Sequence, residues 1–132
     1  MEVTAPNAAK TILIADDDLR LIKLLKENLQ AEGYIVYCGF DGGMAVSLAK
    51  KHHPDVILMD VNMPYMDGLK AFRTLRATAE TANIPVVFIS EMMSQVIYPI
   101  VESSPRAAHL KKPLDLIDLT SFLRHFIQRY AA

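Results

Sequence analysis

The sequence predicts an α/β protein: one domain with a doubly wound, five-stranded parallel sheet and helices on both faces. Three observations lead there. The apolar runs TILIA (11–15), VILM (56–59) and IPVVFIS (84–90) are continuous rather than alternating, as in strands covered on both sides. Stretches with apolar residues three and four apart follow such runs, five times in all. Strand–helix alternation of this kind implies parallel neighbours joined by right-handed crossovers. Five short units within 132 residues favour the flavodoxin-like strand order 2-1-3-4-5 over the dinucleotide-binding one.

Composition narrows the function classes. Apolar residues make up 52% of the chain, enough for a core, and 14 basic against 15 acidic residues leave a net charge of −1. A general binder of nucleic acid or of membrane surfaces needs a basic excess, so neither is expected. The lone Cys38 has no internal partner and reads as a small hydrophobe. No apolar run approaches the roughly 20 residues that span a bilayer. MEVTAPNAA has no signal-peptide pattern, so a cytoplasmic location is expected.

The elements follow in order. Residues 1–10 are expected to be a flexible tail, and 11–130 the folded domain. Strand 1, Thr11–Ala15, runs into Asp16, Asp17 and Asp18. A helix over about Leu19–Glu32 places Leu21, Ile22, Leu25 and Leu29 on one face and stops at Gly33. Tyr34–Cys38 is β-branched and aromatic, hence strand 2. Asp41-Gly42-Gly43 opens helix 2 to about Lys51, with Met44, Val46 and Leu48 as its apolar positions. Pro54 stops it, and strand 3 ends on Asp60. Asn62, Pro64, Asp67 and Gly68 break the chain into a loop, with Asp67 placed to cap a helix over about Leu69–Thr78. Strand 4, Ile84–Ser90, ends on a hydroxyl. Met92–Ser103 reads as a short, kinked or late-starting helix, because Pro99 falls within it. Strand 5 is brief, Ala108–Lys111. Asp115 or Asp118 caps a last helix to about Tyr130, with Leu119, Phe122, Leu123 and Phe126 inward. No stretch remains for an output domain.

In the order 2-1-3-4-5 the chain reverses direction between strands 1 and 3, and the crevice at that point is where such sheets bind ligands. Asp16, Asp17 and Asp60 meet there. Clustered carboxylates repel, which a hard divalent cation relieves. Mg²⁺ suits Asp17, Asp60 and a loop carbonyl near Asn62, with Asp16 reaching it through water. The open positions suit a phosphoryl group, and Asp60 reads as a metal-assisted nucleophile. Lys112 offers a second positive charge, and Ser90 a hydrogen bond to a phosphoryl oxygen.

Taken together, DDD (16–18), DVNMPYMDG (60–68), FIS (88–90) and KKP (111–113) resemble the receiver domain of two-component response regulators, over about Lys10–Tyr130. A stand-alone architecture is similar to the chemotaxis receiver. The resemblance implies that Asp60 accepts a phosphoryl group from a phosphohistidine on a sensor histidine kinase or histidine phosphotransfer protein. Asp16 and Asp17, with Asp60 and the Asn62 backbone carbonyl, would hold Mg²⁺. Lys112, before a cis peptide to Pro113, would contact the phosphate. Ser90 would be the switch hydroxyl, and His109 stands at the switch-aromatic position three residues before Lys112. Such a chain is a phospho-acceptor switch rather than an enzyme, with self-dephosphorylation left open. It signals to a downstream protein target without binding DNA or membrane, and homodimerisation is left open.

Four positions depart from the family's pattern. Glu91 follows the hydroxyl where a small residue is usual, His109 can titrate near neutral pH, and Pro99 and Pro105-Arg106 alter the output face. Glu91 and the altered fourth helix favour the strongest rival, a pseudo-receiver that docks or dimerises without phosphorylation; the acids and Lys112 oppose it. A Mg²⁺-dependent aspartyl phosphatase would place its nucleophile after strand 1, and a flavin phosphate would be repelled by Asp16–Asp18. Taken singly, these features have simpler meanings. The three acids suit a helix N-terminus, Lys112 a surface loop, and Ser90 a strand end. His52, His53, Arg124, His125 and Arg129 lie near helix ends, and Met59, Met63, Met66, Met92 and Met93 fill gaps.

Overall fold

The computed structural model describes residues 10–91 and 95–130. Five strands, β1 (Thr11–Ala15), β2 (Ile35–Gly39), β3 (Val56–Asp60), β4 (Val86–Ser90) and β5 (Ala107–Lys111), alternate with five helices. The helices are α1 (Leu19–Ala31), α2 (Gly42–His52), α3 (Gly68–Ala77), α4 (Ile97–Ser103) and α5 (Leu116–Tyr130). The strands form one sheet in the order β2-β1-β3-β4-β5, and every pairing is parallel. The flavodoxin-like expectation is therefore met.

Strand side chains alternate between two cores. Leu13, Ile57, Met59, Val86 and Phe88 face α2, α3 and α4, where Ala45, Ala49, Phe72, Leu75 and Ile97 meet them. Ile12, Ile14, Val56, Leu58 and Val87 face α1 and α5, against Leu25, Leu29, Leu119 and Leu123. Burial on both faces explains why β1, β3 and β4 read as unbroken apolar runs.

Aspartates start four of the five helices. Asp18, Asp41 and Asp67 accept backbone N–H groups of α1, α2 and α3, and Asp115 accepts those of Ile117 and Asp118 at α5. Asp115, not Asp118, is thus the last cap. Glu32 caps the end of α1, and Gly33 turns the chain at φ 98°, a conformation that favours glycine.

Several boundaries differ from the sequence expectation. β2 starts at Ile35 because the Tyr34 N–H is used by the Leu29 carbonyl at the end of α1, while Ile35 bonds the Lys10 carbonyl. β4 starts at Val86 because Ile84 closes a turn onto Thr81. In α2, Met44 is exposed; the inward row is Gly42, Ala45, Val46 and Ala49, with Leu48 half-buried. Small residues at that spacing let the helix approach the sheet closely. In α5, Ile127 joins the inward row and Phe122 is half-buried. α4 starts late, at Ile97, which puts Pro99 in its first turn, where a missing N–H removes no helical bond. Cys38 is half-buried, and burial pushes its thiol pKa up. His52 is half-buried, stacked 3.7 Å from the Tyr37 ring, and His53 ends α2 at the surface. Residues 1–9 of the expected tail, and Met92 and Met93, lie outside the described residues.

Candidate functional site

Asp16, Asp60, Ser90 and Lys112 all lie at or just beyond the C-terminal ends of β1, β3, β4 and β5. The sheet order puts β1, β3 and β4 side by side, so four distant segments converge on one cleft of about 560 Å³. Its lining includes Asp16, Asp17, Asp60, Asn62, Ser90 and Lys112, every cleft residue expected from the sequence.

Each side chain has a local reason for its place. The Asp16 carboxylate is fully buried; it accepts the Asp18 N–H at 2.9 Å and the Lys112 ammonium at 2.8 Å. Asp17, one residue on, is exposed at the rim. Asp60 is buried at the end of the central strand, and the loop beyond it is pinned by the Gly68 N–H on the Val61 carbonyl at 2.9 Å. A Cβ at Gly68 would run into the Asp60 backbone carbonyl, so only glycine lets α3 start this close to β3. Lys112 is placed by its N–H on the Ser90 carbonyl at 2.7 Å, ahead of a cis peptide to Pro113. Its ammonium also lies 3.6 Å from Asp60.

The electrostatics follow from this crowding. Burial, then the neighbouring Asp16, raises the Asp60 carboxyl to about 6, against the opposing pull of Lys112 and the Asn62 backbone amide. Burial by itself lowers the Lys112 pKa, but its hydrogen bond to Asp16 and the charges of Asp16 and Asp60 outweigh that and raise it. One ammonium pairs with two of three clustered carboxylates. Oxygens of Asp16, Asp17 and Asp60 lie within 4.8 Å of one another, a set of hard ligands. A raised Asp60 pKa beside such a set is the stress that a hard divalent cation relieves, so these residues fit Mg²⁺.

Two features escaped the sequence reading. Asp18, Asp67, Leu69, Val96 and Ile97 also line the cleft, whereas Glu91 stands exposed on its rim, as its place after the Ser90 hydroxyl implied. His109, half-buried in β5, places Nε2 2.8 Å from Ser90 Oγ. His109 does not line the cleft itself, and burial lowers its pKa.

The pattern described as the response regulator receiver domain matches residues 12–124. The chain belongs to that family. Among solved structures this receiver is similar to chemotaxis protein CheY4 of Vibrio cholerae, with 28% identity, 93% of this chain and 99% of that chain covered, and a TM-score of 0.81. It is also similar to the receiver domain of a sensor histidine kinase from Pseudomonas aeruginosa PAO1, described with a magnesium ion coordinated in the active site cleft. That match has 27% identity, covers 92% and 99% of the two chains, and has a TM-score of 0.81. A Francisella response regulator receiver matches at 29% identity, over 91% and 98%, with a TM-score of 0.79. The receiver is a module of two-component signalling. No helix among its described residues is long and apolar enough to cross a membrane.

Proposed function

We propose that this receiver accepts a phosphoryl group on Asp60 from a phosphohistidine of a sensor histidine kinase or phosphotransfer protein, and so switches its contacts with a downstream protein. The observation that carries the reading is the grouping of Asp16, Asp17 and Asp60, with oxygens within 4.8 Å, beside one ammonium. The Pseudomonas neighbour, with magnesium in its own cleft, supports the same cation here.

Asp16, Asp17, Asp60 and the Asn62 backbone carbonyl would hold Mg²⁺, which would supply the charge that keeps Asp60 anionic and offsets that of the phosphoryl oxygens. An Asp60 carboxylate oxygen attacks phosphorus in line. The P–N bond to the donor histidine breaks, its electron pair stays on the imidazole, and that nitrogen takes a proton. Lys112 turns from the carboxylates to pair with a phosphoryl oxygen, and Ser90 donates its hydroxyl proton to another. The acyl phosphate formed on Asp60 is open to hydrolysis, which resets the switch.

Intact-mass analysis after incubation with acetyl phosphate and Mg²⁺ tests this. One phosphoryl adduct is expected, absent with EDTA and absent in Asp60→Asn. An adduct that persists in Asp60→Asn would overturn the assignment. No adduct, together with no Mg²⁺ binding, would leave a docking module that keeps the fold without the chemistry.

A further inference from the structure

The turn before β5 is Pro105-Arg106, one of the departures from the family's pattern, and the chemistry at Asp60 makes no use of it. Arg106 is absent from the lining of the groove between α4 and β5. It lines instead a cleft of about 480 Å³ at the N-terminal ends of β3, β4 and β5, the end of the sheet away from Asp60. Arg129 and Tyr130 of α5 border the same cleft, with Asn83, Pro54, Ile84 and Pro85.

Three guanidiniums gather there. Arg106 Nη1 donates to the Tyr130 carbonyl at 2.9 Å, and its guanidinium lies 5.5 Å from the centre of the Tyr130 ring. The Arg129 guanidinium lies 5.4 Å from the same ring. Arg76 of α3 stands next to them, donating to the Ile84 carbonyl at 2.7 Å and the Arg106 carbonyl at 3.2 Å. Among the described residues, no carboxylate pairs with any of the three. Arg76 and Arg106 are half-buried and repel one another: burial, then the Arg106 charge, lowers the Arg76 pKa. Carbonyls satisfy some of the N–H groups but leave the charge uncompensated. Among the described residues the Arg106 fork has one hydrogen-bond acceptor, so Nε and Nη2 keep donors for an anion.

The other charges around the cleft narrow the ligand. Asp55, whose carboxylate accepts the Thr11 N–H at 2.7 Å, borders it, as do the exposed Glu80 and His53. The two acids oppose an anion that carries several charges. A single planar carboxylate matches the guanidinium fork with two parallel hydrogen bonds. The Tyr130 ring and the two prolines suit an apolar body beside that carboxylate.

We propose that this cleft binds a small organic acid, its one carboxylate held by Arg106 and Arg129 and its apolar body set against Tyr130, Pro54 and Pro85. The proposal does not depend on the phospho-acceptor reading, because the two sites share no residue.

The test is an NMR titration of the full chain at pH 7 and constant ionic strength with sodium benzoate, and in separate arms with acetate and with inorganic phosphate. Benzoate should give saturable shifts of the amides around the cleft, Asp55, Asn83, Arg106 and Tyr130 among them, while the Asp60 and Ser90 amides stay in place. Arg106→Gln should weaken binding about tenfold, the size of one charge-assisted hydrogen bond. Arg106→Lys keeps the charge but not the fork, and should also weaken it. Arg129→Gln changes an exposed side chain and keeps the Arg106 contact to the Tyr130 carbonyl; it should weaken benzoate binding even if the Arg106 variants fold poorly. Shifts that never saturate, or an affinity that is the same in Arg129→Gln and the unaltered chain, overturn the proposal and leave these arginines as partners of carbonyls alone. Phosphate bound more tightly than benzoate overturns the carboxylate assignment, and acetate bound as tightly as benzoate overturns the role of the apolar wall.

Discussion

The Lys112 ammonium donates to the Asp16 carboxylate at 2.8 Å, although 96 positions separate them in the chain. Asp16 is fully buried, so this ammonium is its principal counter-charge. Removing one partner of a buried pair leaves the other uncompensated. Lys112→Ala is expected to lose about 3 kcal/mol of stability in EDTA. Added Mg²⁺ should restore part of that loss, because the cation takes over the neutralising role. Thermal denaturation with and without Mg²⁺ measures both effects, and an unchanged melting temperature in EDTA would refute the first.

Asp60 sets a pH dependence in the metal-free protein. Its carboxyl is raised from 3.8 to about 6 in the fold. Between those values the native state binds more protons than the unfolded chain, so stability falls as pH rises through the window. Asp60→Asn removes the ionisation. In EDTA it should be more stable than the unaltered chain above pH 6, by about 1–2 kcal/mol, and should lack the slope. Denaturant titrations from pH 4 to 8 check this, and parallel curves for the two proteins would contradict it.

Gly68 is where the start of α3 meets the end of β3. Gly68→Ala drives a methyl group into the Asp60 carbonyl, which is backbone and cannot swing aside. A loss of about 2–3 kcal/mol is expected, of the order found for overpacking. Amide shifts should centre on residues 60–68. A variant as stable as the parent would show that the loop relaxes freely.

Glu91 adds a carboxylate to the rim of an already acidic cleft. Glu91→Gln should speed labelling by acetyl phosphate about two- to fivefold at low ionic strength, the size of one screened charge at the mouth. The gain should shrink as salt is added. A gain that does not depend on salt would point to bulk rather than charge.

Much of this was legible along the chain, for physical reasons that are local. Asp67 caps α3 as its position ahead of an apolar helix implied. Pro99 delays α4 because proline is tolerated only in a first turn. Other details depended on neighbours that a linear reading does not reveal. Tyr34 left β2 because a helix-end carbonyl took its N–H. Met44 faced out because the row of Ala45, Val46 and Ala49 is the one that packs into the core.

The sequence by itself determined the five strand–helix units, their parallel order and the polar residues Asp16, Asp17, Asp60, Asn62, Ser90 and Lys112 of the cleft. Apolar periodicity, helix caps and strand-end polar residues are properties of short segments, and they survive into the fold unchanged. Only the tertiary structure decided which of those residues touch. Parallel pairing of β4 with β5 sets Phe88 against His109 and Ser90 against Lys111, and that register brings the imidazole onto the Ser90 hydroxyl. Packing likewise sank Asp16 and left Asp17 at the rim, so that adjacent, identical residues differ in charge environment. Contacts and burial depend on distances between segments far apart in the chain, and those distances exist only once the sheet has formed.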